Sequence, residues 1–242
     1  MPTLRVTNRG VQDVLLLDGE ELVGAKQNRV MNTTVLVRAR STLEVPVSCV
    51  EQGRWRYSGR RFSSSKHSLY ASMRVKKAAH VHESLRKRRT FESDQVGIWS
   101  GLAERAQSLN VESTAMAGAF TGRAPELGEY TAALGPRPDQ VGALVYGGGA
   151  WWGMDVLPSP RLFAAAWPRV LSGYVLDVLA SRPEGGLDES GAERLAAVRD
   201  APVEVFPGVG AGDDCRFAGP GVLGAALIVD GVVAHAMAFP GP

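Results

Sequence analysis

GEELVGAKQNRVMNTTVLVRARSTLEVPVSCVEQGRW, residues Gly19–Trp55, carries two patterns at once. Thr33–Val37 and Leu43–Val47 follow the period of two that marks a strand. Around them stand Glu20, Glu21, Lys26, Gln27, Asn28, Arg29, Asn32, Ser48, Cys49, Glu51, Gln52 and Arg54. Strand ends hold side chains rigidly and open towards solvent, so the combination marks a site mounted on a β scaffold.

Working outward, Leu4–Thr7 and Val14–Leu17 are short apolar runs on either side of the turn-rich NRGVQD, and they predict two antiparallel strands. Asp18-Gly19 is a strong hairpin signal. Strands are expected next over Glu21–Ala25, Val30–Val37 and Leu43–Val50, with a turn at Ala39–Ser41. Five short strands at this spacing describe a small antiparallel sheet or half of a sandwich.

Arg54–Ser65 interleaves Arg54, Arg56, Arg60 and Arg61 with Trp55, Tyr57 and Phe62. A solvated loop and a contact for phosphate or base account for it equally well. Ser63–Ser65 is expected to cap a helix over Lys66–Arg89, where Leu69, Met73, Ala78, Val81 and Leu85 recur near the helical period. The closing RKRR at 86–89 suits the negative end of a helix dipole. Ser93 is placed to cap a second helix with the stripe Val96, Trp99, Leu102, Ala103 and Ala106.

A short helix is expected around Pro125–Leu134, then a hairpin of Val141–Tyr146 and Ala150–Val156 turning at Gly147–Gly149. Ser159-Pro160 opens the best-defined helix, striped by Phe163, Ala166, Trp167, Val170, Leu171, Tyr174, Val175, Val178 and Leu179. Pro168 inside it predicts a kink or a restart. A helix over Glu189–Val198 precedes strands at Val203–Phe206, Val222–Val229 and Val232–Phe239, the last two joined by the hairpin Asp230-Gly231. The intervening GVGAGDDCRF is expected to be a glycine-rich loop. The whole predicts one α+β domain over residues 1–242. Its β-rich segment, 1–62, bears the site, and 63–242 adds a helical middle and C-terminal strands that join the sheet.

Composition agrees with a globular protein: 45% of the 242 residues are hydrophobic, 21% are charged, and the net charge is +2. The charge is uneven, since residues 1–92 hold 18 Lys+Arg against 8 Asp+Glu and the rest holds 9 against 17. A basic first half points to phosphate-bearing small molecules. The pI of about 8.6 argues against a nucleic-acid partner. No apolar run has the length of a membrane span, and MPTLRVTNRG lacks a signal region. Cys49 and Cys215 make no disulfide framework, which fits the cytoplasm. His80 and His82 stand two apart and share no helical face, so neither a metal nor another cofactor is expected. A homo-oligomer is compatible with the sequence.

Within the opening stretch, Glu21 and Glu51 are candidates for general acid and base, since carboxylates of different burial divide those roles. Lys26, Arg29 and Arg54 offer cations for phosphate, and Gln27, Asn28 and Asn32 offer partners for hydroxyl groups. Cys49, beside Ser48 and near Glu51, is a candidate nucleophile, with a packed core cysteine as the alternative. His235 is the one histidine outside 67–82, and a strand neighbour would bring it to the site. Walker, nucleophile-elbow and dinucleotide-binding signatures are absent from the sequence.

LLLDGEELVGAKQNRVMNTTVLV followed by VPVSCVEQGRW resembles a prokaryotic family named for its association with ADP-ribosylglycohydrolases and rhodanese-phosphatases. The likeness is high over residues 5–62 and continues through Gln95 with Trp99, SPRLFAAAWPRVLSGYVLDVL, Arg216, and His235 with Phe239. The resemblance implies NAD or ADP-ribose metabolism, and it adds Trp55 and His235 to the expected ligand contacts. Two functions are therefore expected. One is an enzyme acting on an ADP-ribose- or NAD-like nucleotide, hydrolysing a glycosidic bond with Glu21 or Glu51; the other is a non-catalytic module that binds such a nucleotide.

Overall fold

The computed structural model describes residues 3–51, 59, 61–181 and 191–241; Arg54 and Trp55, two of the expected ligand contacts, lie outside the described residues. The apolar alternation of the first third produces β1 (Thr3–Asn8), β2 (Val14–Leu16), β3 (Glu20–Gly24), β4 (Arg29–Met31), β5 (Val35–Val37), β6 (Ser41–Cys49) and β7 (Phe62–Ser68). Five of them form an antiparallel sheet in the order β1-β6-β4-β3-β7, while β2 and β5 pair as a separate ribbon. Leu22, Met31, Val35, Val37, Val45 and Val47 fill the space between sheet and ribbon.

Four local expectations change here. Val30–Val37 divides into β4 and β5, because Asn32, Thr33 and Thr34 leave the ladder and bond to groups in the protein interior. Asp18-Gly19 turns the chain without making a hairpin: Gly19, at φ 77°, passes it from the ribbon into the sheet. Likewise β1 pairs with β6 and not with β2. Ser63–Ser65 belong to β7 rather than to a helix cap, and the Ser64 and Ser65 hydroxyls donate to Glu20 and Glu21 across the strands.

Helix α1 (Ala71–Arg88) begins later than its periodicity predicts and buries Met73, Ala78, Val81 and Leu85. Its own N-cap, Tyr70, gives no side-chain cap; Asp177 accepts from the Ser72 amide at 2.7 Å instead. Helix α2 (Gln95–Ser108) is capped by Asp94 rather than Ser93. It buries Ile98, Leu102 and Ala106 and leaves Val96 exposed. A short α3 (Met116–Gly122), hidden among small residues in the sequence, precedes α4 (Ala124–Ala133).

The second half supplies β8 (Gly142–Gly147), β9 (Ala150–Val156), α5 (Pro160–Ser181), α6 (Gly191–Asp200), β10 (Val203–Pro207), β11 (Asp213–Gly219), β12 (Val222–Val229) and β13 (Val232–Phe239). The fold is α+β. Its C-terminal strands make a six-stranded antiparallel sheet of their own, β10-β11-β12-β13-β9-β8. Leu36 of the ribbon bridges to Ala211 beside that sheet. Asp230 and Gly231, both with positive φ, close the β12–β13 hairpin as expected. The segment expected to be a glycine-rich loop is loop only at its start, since Asp213 onward pairs with β10 and β12.

Helix α5 runs unbroken through Pro168, because Phe163, Trp167, Val170, Leu171 and Leu176 are fixed in the main core, where the loss of one backbone bond is tolerated. Its 22 residues are long and apolar enough to cross a membrane, yet 61% of its apolar window is buried within the protein. Residues of α1, α2, α3, α5, β12 and β13 meet in that core.

Candidate functional site

A groove of about 1020 Å³ opens over the ends of β4 and β6. Six of the residues expected at the site line it: Lys26, Gln27, Arg29, Asn32, Ser48 and Cys49. The turn after β3, where Ala25 takes φ 46°, presents Lys26 to solvent. Register sets Arg29 directly opposite Cys49, so their side chains share one face of the sheet. Arg29 is half-buried, and its guanidinium has no ion pair or hydrogen bond among the described residues.

The first turn of α2 makes the facing wall, with Ser93, Asp94, Gln95, Val96 and Trp99. Gln95 ties that wall to β6 as an added strand would: the Cys49 amide donates to its Oε1 at 2.8 Å, and its Nε2 donates to the Cys49 carbonyl at 2.8 Å. Ser48 Oγ lies 2.7 Å from Asn32 Oδ1 and 2.6 Å from Ser93 Oγ, while Asn32 Nδ2 donates to the Phe91 carbonyl at 2.9 Å. Leu4, Phe62 and Trp99 give the groove apolar surface, and the buried Trp99 Nε1 has no hydrogen-bond partner among the described residues. Cations beside aromatic and aliphatic surface suit a ligand with an anionic end and an apolar or aromatic body.

The expected carboxylates lie elsewhere. Glu21 is fully buried and accepts from Asn28 Nδ2 at 3.1 Å, from Ser65 Oγ at 2.7 Å and from His67 Nδ1 at 3.1 Å. His67 in turn stacks on Phe120 at 4.3 Å between ring centroids. Glu51 is buried, and its Oε2 accepts from the Asn28 amide at 2.7 Å. Its carbonyl accepts from Gln27 Nε2 at 3.0 Å and from the Cys49 thiol at 3.2 Å. Neither carboxylate is among the groove-lining residues, and Asn28 sits between them.

His235 is drawn into a second assembly, away from the groove. It is 2% exposed, with Nδ1 2.7 Å from Thr34 Oγ1 and Nε2 3.0 Å from Asp155 Oδ1. Pairing of β13 with β9 puts it there. Asp155 also accepts from Arg74 at 2.9 and 2.6 Å and from the Tyr174 hydroxyl at 2.7 Å. Arg74 Nε lies 3.6 Å from Asp18, and Lys77 bonds both to Asp18 and, at 3.0 Å, to the Asn32 carbonyl. On the far side Arg216 clasps Asp214 and donates to Thr33 Oγ1 at 2.7 Å. Ten side chains, from the six-stranded sheet, two helices and the links β2–β3 and β4–β5, are thus gathered in a sealed polar interior.

Burial alone pushes the Asp155 carboxyl up, but the Arg74 charge and the bonds from His235 and Arg74 outweigh it and hold the group below the usual carboxylate range. Burial dominates at Lys77, whose ammonium is brought down to about 8 despite the attraction of Asp18. Tyr174 is raised well above its ordinary value, first by burial and then by the Asp155 charge.

Gln95, Trp99, Phe62 and Leu4 are groove residues that strand-end reasoning missed. The available signal was the spacing of Gln95 and Trp99, four apart and hence on one face of α2. Asp18, Arg74, Lys77, Asp155 and Asp214 gave no local signal, since their partners are remote in sequence.

No curated protein and no solved structure shows significant similarity to the chain. The model of the ARG and Rhodanese-Phosphatase-superfamily-associated Protein domain matches residues 1–239, which takes in both sheets, the groove and the sealed interior. With nearly its whole length matched, the chain belongs to the ARG and Rhodanese-Phosphatase-superfamily-associated Protein domain family.

Proposed function

We propose that the groove binds a phosphate-bearing nucleotide of the ADP-ribose or NAD type, and that binding is its principal task. The observation that carries this reading is Arg29, a half-buried cation with no ion pair or hydrogen bond among the described residues, beside Lys26 and the apolar surface of Trp99 and Phe62. A planar guanidinium with open donors suits a diphosphate, and an aromatic wall suits a base. The family name, with its ADP-ribosylglycohydrolase association, supports the nucleotide class. Calorimetry with ADP-ribose, NAD and ADP tests it. Wild type should bind at least one of them, and Arg29→Ala should weaken that binding about tenfold. Absence of binding by wild type, or equal binding by Arg29→Ala, rejects the reading.

Hydrolysis of a glycosidic bond is the second reading. It is favoured by the position of Glu51, whose carbonyl is bonded by the groove residue Gln27. Chromatography of nucleotide incubated with wild type and Glu51→Gln separates the two readings. Turnover by wild type that is lost in Glu51→Gln assigns the acid or base role, and binding without product over hours assigns a binding module.

A further inference from the structure

Beyond the nucleotide groove lies a second opening, of about 550 Å³, between β1 and β7. These are the two edge strands of the five-stranded sheet, each hydrogen-bonded to one neighbour within it. Leu4, Val6, Leu16 and Phe62 are half-buried along the opening, and Leu22 is buried beneath them. Arg5, Arg9 and Arg61 stand exposed at its rim. Arg5 has only a loose contact with Glu44 at 3.8 Å, and Arg9 and Arg61 have no ion-pair partner among the described residues.

Exposure along β1 alternates: Leu4 and Val6 turn partly inward, whereas Arg5 and Thr7 are exposed. A strand laid beside β1 repeats that alternation, because side chains of paired strands share faces residue by residue. One of its faces would cover the half-buried apolar side chains, and the other would meet the arginines.

We propose that this opening is a docking slot for an extended acidic segment of a partner protein, which adds a strand to β1 and alternates apolar with Asp or Glu residues. Its main-chain groups would pair with the edge of β1, giving affinity, while the pockets and the three cations give specificity. The slot adjoins the nucleotide groove through Leu4, Arg5 and Phe62, but the inference does not depend on the ligand of that groove.

Fluorescence polarisation with an acetylated, labelled Val-Glu-Val-Glu-Val-Glu peptide tests the proposal. Wild type should bind this peptide and should not bind a version with lysine in place of glutamate. The pair Arg9→Glu, Arg61→Glu, at residues that do not line the nucleotide groove, should weaken binding about tenfold and gain affinity for the lysine peptide. That gain also shows the variant to be folded. Methylating alternate peptide nitrogens on the pairing edge should abolish binding, as strand addition requires. No binding by wild type, equal binding of a Val-Glu peptide of scrambled order, or equally strong binding of a short oligonucleotide would each overturn it.

Discussion

The open groove and the sealed interior draw on the same residue types and put them to opposite uses. In the groove Arg29 reaches half-exposed space with no ion pair or hydrogen bond among the described residues, while Lys26 is exposed. In the interior Arg74 and Arg216 are almost fully buried and are matched by Asp155 and Asp214. Asn32 belongs to both: its side chain lines the groove, and its carbonyl accepts from Lys77. Buried charge in this chain is met by an opposite charge, whereas Arg29 keeps its donors open for the ligand proposed above. Matched and buried, the same groups fix how the two sheets meet.

The largest loss is expected from Asp155→Ala. It leaves Arg74, His235 and Tyr174 buried without their common acceptor, and breaking a buried pair in this way costs about 3–5 kcal/mol. Urea denaturation should record that loss; a change below about 1 kcal/mol would mean the interior does not hold the sheets together.

Acid gives a smaller and graded effect. Because the folded state holds Asp155 below its ordinary value of 3.8, its stabilisation is fully present above that pH and is lost as pH falls through the folded value. Stability followed by circular dichroism should fall more steeply below about pH 4 for wild type than for Asp155→Asn.

Gln95→Ala removes both side-chain bonds to the Cys49 backbone and should cost about 1–2 kcal/mol, measured by thermal unfolding. It should also weaken the proposed nucleotide binding, since α2 is one wall of the groove. A stability loss with unchanged binding would separate wall from ligand. Smallest in stability is Arg29→Ala, expected to stay within about 0.5 kcal/mol of wild type, because no ion pair or hydrogen bond of its guanidinium among the described residues is broken. A large destabilisation there would show that Arg29 belongs with the matched charges after all.

The expectation of α+β architecture rested on periodicity, and periodicity is local, so most strands and helices were legible. The failures came where distant partners override local preference. Asn32–Thr34 continue a strand pattern, yet their side chains bond to Phe91, Asp214 and His235, and the strand divides there. Asp18-Gly19 has the residues of a hairpin, but the ribbon and the sheet compete for its flanks. That Lys26, Gln27, Arg29, Asn32, Ser48 and Cys49 share one groove was legible because one strand-end cluster holds them all. Glu21 and Glu51 share that cluster but turn inward to Asn28, a choice set by three-dimensional neighbours and not by spacing.

The sealed interior also orders events during synthesis. Asp18, Arg74 and Lys77 leave the ribosome early, Asp155 comes much later, and His235 stands at position 235 of 242. Contacts between such distant segments form slowly, since the intervening chain must first be closed into a loop. A nascent chain halted before β13 therefore holds Arg74 beside an acceptor set that is still incomplete. Strand β13 emerges after the other described strands and brings His235 to Thr34 and Asp155, so a chain lacking β13 should lose the arrangement of the N-terminal groove.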